Sequence, residues 1–395
     1  MNVALILFIV SLGAIAYVYF GYALLLALLT RRSDGQPALP AESIPSVSMV
    51  IAAYNEEAII ERKLQNTLAL SYPRDRLEVI VASDGSDDRT DEIVVGYADR
   101  GILLHRSPVR LGKLPTISSA LARARGDIVV FSDANAMYEP DALMRLVEPF
   151  QDERVGCVCG KLVYVNGAGT SISDGERLYW NYESRLKQLE SRFNSLIGAN
   201  GAIYAIRRSA YVPLDLDISD DYGIPLAVYA KGYRVVYQPS AVSREEAPVS
   251  IREEFRQKRR WVSQQLTTIT RLWPLLQSLR DPKLYFQVIS HKLLRTTVPF
   301  LLIGLFLSNV MLDGPVARVL LWGQVGFYGL AVCGALLYRR GVRIKVFTIP
   351  LYFCTVNAAA AVGIFQFLRR VNYTAWDEKD RGQGSGVRGQ ENEAI

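Results

Sequence analysis

In FSDANAMYEP, residues 131–140, an apolar run ends in Asp133, and Asn135 follows one residue later. A carboxylate at the exposed end of a buried strand suits a divalent cation. A second carboxylate at Asn135 would strengthen such a site, but that position holds an amide. Residue types alone leave Asp133 and Asn135 open between a metal site and a polar strand end. Further along, SDDYG sets Asp220 beside Asp221. Such a carboxylate can take a proton from a hydroxyl, and the pair can also cap the helix that follows. In QKRRW, residues 257–261, Gln257 and Trp261 share a helical face with Arg260 adjacent. A guanidinium can grip a diphosphate through two hydrogen bonds. The neighbouring cations Lys258 and Arg259 fit better on anionic lipid headgroups.

Several chemistries are disfavoured by what surrounds these motifs. No G-x-G-x-x-G follows the first strand and no Walker A motif occurs, which argues against dinucleotide and P-loop sites. DGSDD, residues 84–88, begins like a calcium loop but continues with Arg89 where a glycine is required. Cys157 and Cys159 lie in the apolar stretch VGCVCGKLVYV with no second ligand pair, so they read as buried reduced thiols rather than zinc ligands. The net charge of +6 is not gathered into a dense basic tract with interleaved aromatics, and no nucleic-acid partner is expected.

The elements that position these residues follow from hydrophobic periodicity. VSMVIAAY, LEVIVASDGS, GILLHRS and DIVVFSDAN read as four strands, with helical stretches between them. Continuously apolar strands alternating with helices predict an α/β fold with a mainly parallel sheet covered on both faces. Ligands of such sheets bind beyond the carboxyl ends of the strands. Three strands end in polar side chains there: Asn55 and Glu56, then Asp84, then Asp133. Three polar ends on one rim predict a site.

In order, AAYNEE, SDGS, GK, FSDAN, GANGAIYAIRRSAY, SDDYG and QKRRW resemble the motif series of family 2 glycosyltransferases of the membrane-embedded processive type. Cellulose synthase, hyaluronan synthase and poly-N-acetylglucosamine synthase are members. The resemblance covers roughly residues 47–266 and implies a GT-A fold with a UDP-sugar donor and Mg²⁺ or Mn²⁺. It implies that Tyr54 and Glu56 line the base and ribose pocket, that Asp84 accepts from the uracil ring, and that Lys113 meets the donor. Asp133 would chelate the cation, with Asn135 a neutral ligand, direct or through water. Asp221 would be the general base, with Asp220 the lesser candidate, standing where the family more often has Glu. Arg260 would pair with the diphosphate and Trp261 stack on the acceptor sugar near Gln257. Gly198 and Asn200 would shape the acceptor site, where glycine permits close backbone approach.

Half the residues are hydrophobic, and the excess is concentrated at the two ends. The uncharged run 3–29 is long enough to cross a bilayer, which takes roughly 20 apolar residues. Arg31 and Arg32 follow it, so it reads as an anchor (1–32) with its end in the cytoplasm of an inner-membrane protein. Runs at 296–312, 319–338 and 346–368 predict a C-terminal membrane region, 296–370, beyond a cytoplasmic catalytic domain, 44–262. Three crossings would send the tail outside, against the preference of Arg369 and Arg370, and a re-entrant last run would relieve that conflict. Leu266, Ile269, Leu272, Trp273, Leu276 and Leu279 share one helical face, so residues 263–295 read as helices at the membrane surface, with Pro274 as a kink. The polar tail, 371–395, reads as partly disordered.

The reading that follows is an inverting transferase that extends a β-linked polysaccharide. Rivals are a single transfer to a lipid-linked acceptor and a sugar-nucleotide-binding scaffold made inactive by Asn135. Four spans are few for a translocation channel, so self-association or accessory export subunits are expected partners alongside the bilayer.

Overall fold

The computed structural model describes residues 3–30, 44–165, 174–214, 218–248, 250–342 and 344–371. The polar tail expected beyond residue 371, and Arg31 and Arg32, lie outside the described residues.

Among the described residues, eight strands form one sheet: β1 (Val47–Ala53), β2 (Leu77–Ser83), β3 (Ile102–Arg106), β4 (Ile128–Asp133), β5 (Met137–Tyr138), β6 (Val155–Val165), β7 (Tyr204–Arg207) and β8 (Arg234–Glu246). Their spatial order is β3-β2-β1-β4-β7-β6-β8-β5. Only β7 and β5 run against the rest. The mainly parallel sheet expected from the sequence is therefore present. All of β1 is buried. Its alternate residues Val47, Met49 and Ile51 join one core, while Val50 and Ala52 join another on the opposite face. A strand sandwiched in this way has no solvent face, which is why its sequence shows no polar alternation.

Register fixes the rim. Ala52 of β1 pairs with Asp133 of β4, and Ala53 pairs with Ser83, the residue before Asp84. The three polar strand ends are thus level with one another. Two helices supply the other half of the site. Asp220–Ala230 begins at the acidic pair, and Ile251–Leu279 carries QKRRW. The second helix starts where the Ser250 hydroxyl accepts the Glu253 N–H, satisfying one orphan donor of its first turn.

That helix continues unbroken through Pro274. Its apolar face does not lie free at a surface: Ile269 and Leu276 pack with Ile197 and Leu226 of the catalytic domain and with Leu284 and Val288. The pattern read as a membrane-surface helix is that of a helix docked on protein. Periodicity is the same in both cases, and only the partner differs.

Among the described residues, three helices are long and apolar enough to cross a membrane: Val3–Leu29, Pro315–Arg339 and Lys345–Leu368. The run expected at 296–312 is not a straight span. Its helix, Val298–Val310, has 13 residues and at 1.5 Å per residue falls well short of a bilayer core. It is bent by 57° from the preceding helical stretch, Pro282–Thr296. Pro299 in its first turn lacks an N–H and disfavours helical geometry in the residue before it. The last run, for which re-entry would have relieved the topology conflict, is a continuous helix of 24 residues.

Candidate active site

The loops after β1 and β2 are laced together before any ligand is considered. Asn55 accepts the Asp87 N–H at 3.1 Å, and Thr90 accepts the Glu56 N–H at 2.8 Å. Asp88 accepts the N–H groups of both Glu57 and Thr90. Asp88 of DGSDD therefore serves as a backbone acceptor that holds the AAYNEE loop, while the Asp87 N–H donates to it. Arg110 covers the Tyr54 ring at 4.3 Å, and Glu56 is buried in the cavity wall.

Asp84 is fully buried. Its oxygens accept from the N–H groups of Leu111 (2.7 Å) and Gly112 (2.8 Å) and from the Thr116 hydroxyl (2.8 Å). The carboxylate expected to meet a uracil ring is committed here to the turn that launches helix Lys113–Leu121. Its effect on the site passes through Lys113, the first residue of that helix.

Lys113 is the centre of charge. Its Nζ lies 2.8 Å from Asp133 Oδ1 and 3.3 Å from Asp220 Oδ2. Burial would lower its pKa, but Asp133 and Asp220 outweigh that and hold it above the ordinary lysine value. Asp220 also accepts the Tyr204 hydroxyl at 3.1 Å. Asp221 takes the Ser219 hydroxyl. Burial, then the like charge of Asp220, raise the Asp221 carboxyl above the usual range. The two neighbours are thus set apart: Asp220 is bound up with Lys113 and Tyr204, while Asp221 takes the Ser219 hydroxyl and has its carboxyl held above the usual range.

Gly201 occupies the space between these groups. A Cβ there would stand 3.5 Å from Lys113 Nζ and 3.8 Å from both Asp133 Oδ2 and Asp221 Cβ. Its missing side chain leaves room beside all three groups. GANG offered this residue to the eye, but its neighbours in space come from distant segments.

Helix Asp174–Phe193 holds the GAN loop from behind. Lys187 donates to Asn200 Oδ1 and, at 3.4 Å, to the Ala199 carbonyl. Asn200 Nδ2 donates to the Gly160 carbonyl at 2.6 Å. Asn200 therefore braces the loop, and Gly198 lies against the Tyr222 ring. Tyr222 donates to Gln265 and Ser219 N–H to Thr268, so the helix carrying Asp221 is fastened to the helix carrying QKRRW.

One cavity of about 1290 Å³ includes Glu56, Lys113, Asp133, Asn135, Gly198, Asn200, Asp220, Asp221, Gln257, Arg260 and Trp261 in its lining. Of the expected site residues, only Tyr54 and Asp84 stand outside that lining. The volume exceeds the roughly 300–1,000 Å³ of a single small-ligand site, as two substrates require. Beyond Trp261 the cavity wall continues onto Tyr352, Phe353 and Val356 of helix Lys345–Leu368. Lys258 does not face headgroups: it is buried among aromatic rings. The backbone carbonyl of the next residue, Arg259, lies against Gly363 of the last apolar helix.

Among the described residues no group of three or more His, Cys, Asp or Glu side chains could hold a metal ion. Asp133 keeps 34% of its side chain exposed, and its Oδ2 faces the Gly201 space. That carboxylate, with the Asn135 amide oxygen in the same cavity wall, fits a hard cation that completes its shell with phosphate oxygens and water.

The mainly parallel sheet, with helices on both faces and its cavity at the strand ends, is a GT-A fold. The solved mannosyltransferase PcManGT from Pyrobaculum calidifontis, in complex with GDP-Man and Mn²⁺, shares this fold with a TM-score of 0.69 and 22% identity. The match covers 93% of this chain and 99% of that one. Residues 48–212 match the family model of glycosyl transferase family 2. A probable glycosyltransferase of Bacillus subtilis, YdaM, is 31% identical over 235 residues, 56% of this chain and 55% of that one. A poly-β-1,6-N-acetyl-D-glucosamine synthase of Staphylococcus aureus is 25% identical over 57% of this chain and 56% of its own. The chain spans little more than half the length of these curated relatives. The family match ends before Asp220, so the acidic pair and QKRRW rest on geometry.

Proposed function

We propose that the protein is a membrane-bound inverting glycosyltransferase that moves a sugar from a UDP-sugar to a saccharide acceptor, extending a β-linked polysaccharide. The observation that carries this reading is Lys113 bridging Asp133 and Asp220, with Asp221 beside them and the Gly201 space between. The donor diphosphate would lie along Lys113 and Arg260. Asp221 takes the proton of the acceptor hydroxyl as that oxygen attacks the anomeric carbon. The bond from that carbon to the diphosphate oxygen breaks, and nucleoside diphosphate leaves. One displacement inverts the configuration and needs one base, so a second free carboxyl acid is not required. Mg²⁺ or Mn²⁺, held by Asp133 with Asn135, would supply charge neutralisation at the leaving diphosphate.

The polymer reading is supported by likeness to polysaccharide synthases such as the staphylococcal one. A second reading, single transfer to a lipid-linked acceptor, is favoured by the continuation of the cavity onto the last apolar helix. Both place the catalytic domain on the cytoplasmic face of the inner membrane. Protein in lipid nanodiscs, given a panel of UDP- and GDP-sugars with Mg²⁺ or Mn²⁺, should release nucleoside diphosphate and lose this activity in Asp221→Asn. Product size then separates polymer from single addition. Release from no donor with either metal overturns the proposal.

A further inference from the structure

Lys258 lies between Gln257 and the Arg260–Trp261 pair, yet it is 4% exposed and its ammonium faces rings rather than water. Its Nζ sits 4.2 Å from the Trp261 ring centre, 4.5 Å from Tyr179 and 5.0 Å from Trp180. Trp180 stands edge-on to Trp261, with centroids 6.2 Å apart and planes at 86°. Glu254 Oε1, one turn earlier on the same helix, is 3.5 Å from Nζ and accepts the Tyr352 hydroxyl at 3.2 Å. Tyr352 belongs to the span-length helix Lys345–Leu368.

Burying an ammonium is costly unless its charge is met, and here one carboxylate and three ring faces meet it. A flat indole offers a sugar a stacking surface only if its plane is fixed. The ammonium covers one face of Trp261 and Trp180 abuts it at a right angle, so the plane is held on two sides. Resting on the transferase reading above, we propose that Lys258 is the positioning residue of the acceptor site. Without touching substrate, it holds Trp261 and Trp180 as a right-angled corner for the acceptor sugar, and Glu254 and Tyr352 tie that corner to the membrane helix.

The test uses the full chain in membranes that contain the native acceptor, with labelled donor sugar. Label is partitioned between acceptor-bound product and free sugar from donor hydrolysis. Lys258→Met, which keeps length and removes charge, should shift this partition about fivefold toward free sugar, in keeping with the loss of a desolvated cation–π contact. Lys258→Arg should restore most of it, because a guanidinium also stacks on rings. Tyr352→Phe should shift the partition the same way by a smaller factor, and it keeps the test open should Lys258→Met fail to fold. An unchanged partition in both Lys258→Met and Tyr352→Phe overturns the proposal, as does Lys258→Arg behaving like Lys258→Met. Wild-type protein that releases nucleoside diphosphate from no donor overturns the transferase reading itself, a distinct result.

Discussion

The two walls of the cavity are built by different physics. On the side of β1 and β2, short polar side chains hold backbone: Asp88, Thr90 and Asn55 accept N–H groups across the two loops, and Asp84 accepts those of Leu111 and Gly112. On the side of helix 251–279, rings hold a cation: Tyr179, Trp180 and Trp261 surround Lys258. The first arrangement is directional and fixes loops to within a hydrogen bond. The second is broad and sets planes. A diphosphate with discrete charges needs the former, and a sugar ring presented by its face is served by the latter.

This contrast can be broken at its centre first. Asp221→Asn should lower transfer by about 10²–10⁴-fold, the range of a lost general base, while Asp220→Asn should cost less. A larger loss in Asp220→Asn would reverse the two roles. The same Asp221→Asn variant should be more heat-stable at neutral pH. A carboxyl whose folded pKa is raised binds its proton more tightly in the folded state, so stability falls as pH rises from the unfolded value through the folded one. Above that window the penalty is complete, and the amide removes it. Thermal midpoints measured at pH 7 and pH 4 would show the gain at the former and little at the latter.

Gly201→Val should come next, with roughly a hundredfold loss of turnover from filling the reacting space, a cost comparable to a misplaced substrate. Normal turnover in that variant would move the reaction elsewhere in the cavity. Asp84→Asn probes the polar wall. It removes an acceptor from two N–H groups and a hydroxyl, so it should raise the donor KM about tenfold by loosening Lys113 and lower stability by about 1–3 kcal/mol. An effect on acceptor KM alone would contradict the division between the walls.

The smallest effect is expected at Lys63, fully buried behind the FSDAN loop, where it donates to the Ala136 carbonyl. Burial lowers its pKa to about 7, against the pull of Asp133 and Glu245. The unfolded chain therefore binds the extra proton between about pH 7 and the free-lysine value near 10.4. Stability should rise with pH across that window, and Lys63→Met should flatten the slope in thermal melts.

Much of the polar wall was legible in the sequence, because strand, polar end and helix recur there in chain order. Asp133 and Lys113 needed only the strand pattern and the resemblance to be placed. Asp84 was located correctly but its partners were not, since nothing local shows that Leu111 and Gly112 turn back toward it. The ring wall was less legible. Lys258 looked like one more surface cation because the rings that enclose it come from a separate helix. Gly201 stood inside GANGAIYAIRRSAY, but nothing local showed its importance, which lies in three side chains drawn from elsewhere. The face at Ile269 and Leu276 was seen, yet amphipathic spacing does not say whether lipid or protein covers it.

Gly363 bears on how the assembly behaves as a solid. A Cβ there would come within 2.6 Å of the Arg259 carbonyl oxygen and 2.9 Å of Val262 Cβ, so helix 345–368 meets helix 251–279 at close backbone approach, with Val262 packed beside the contact. Side chains can hop between rotamers and absorb a small displacement, but two abutting backbones cannot. A tilt of one helix therefore reaches the turn bearing Trp261 as a rigid displacement, and the stiffness of that junction is set by a single hydrogen atom.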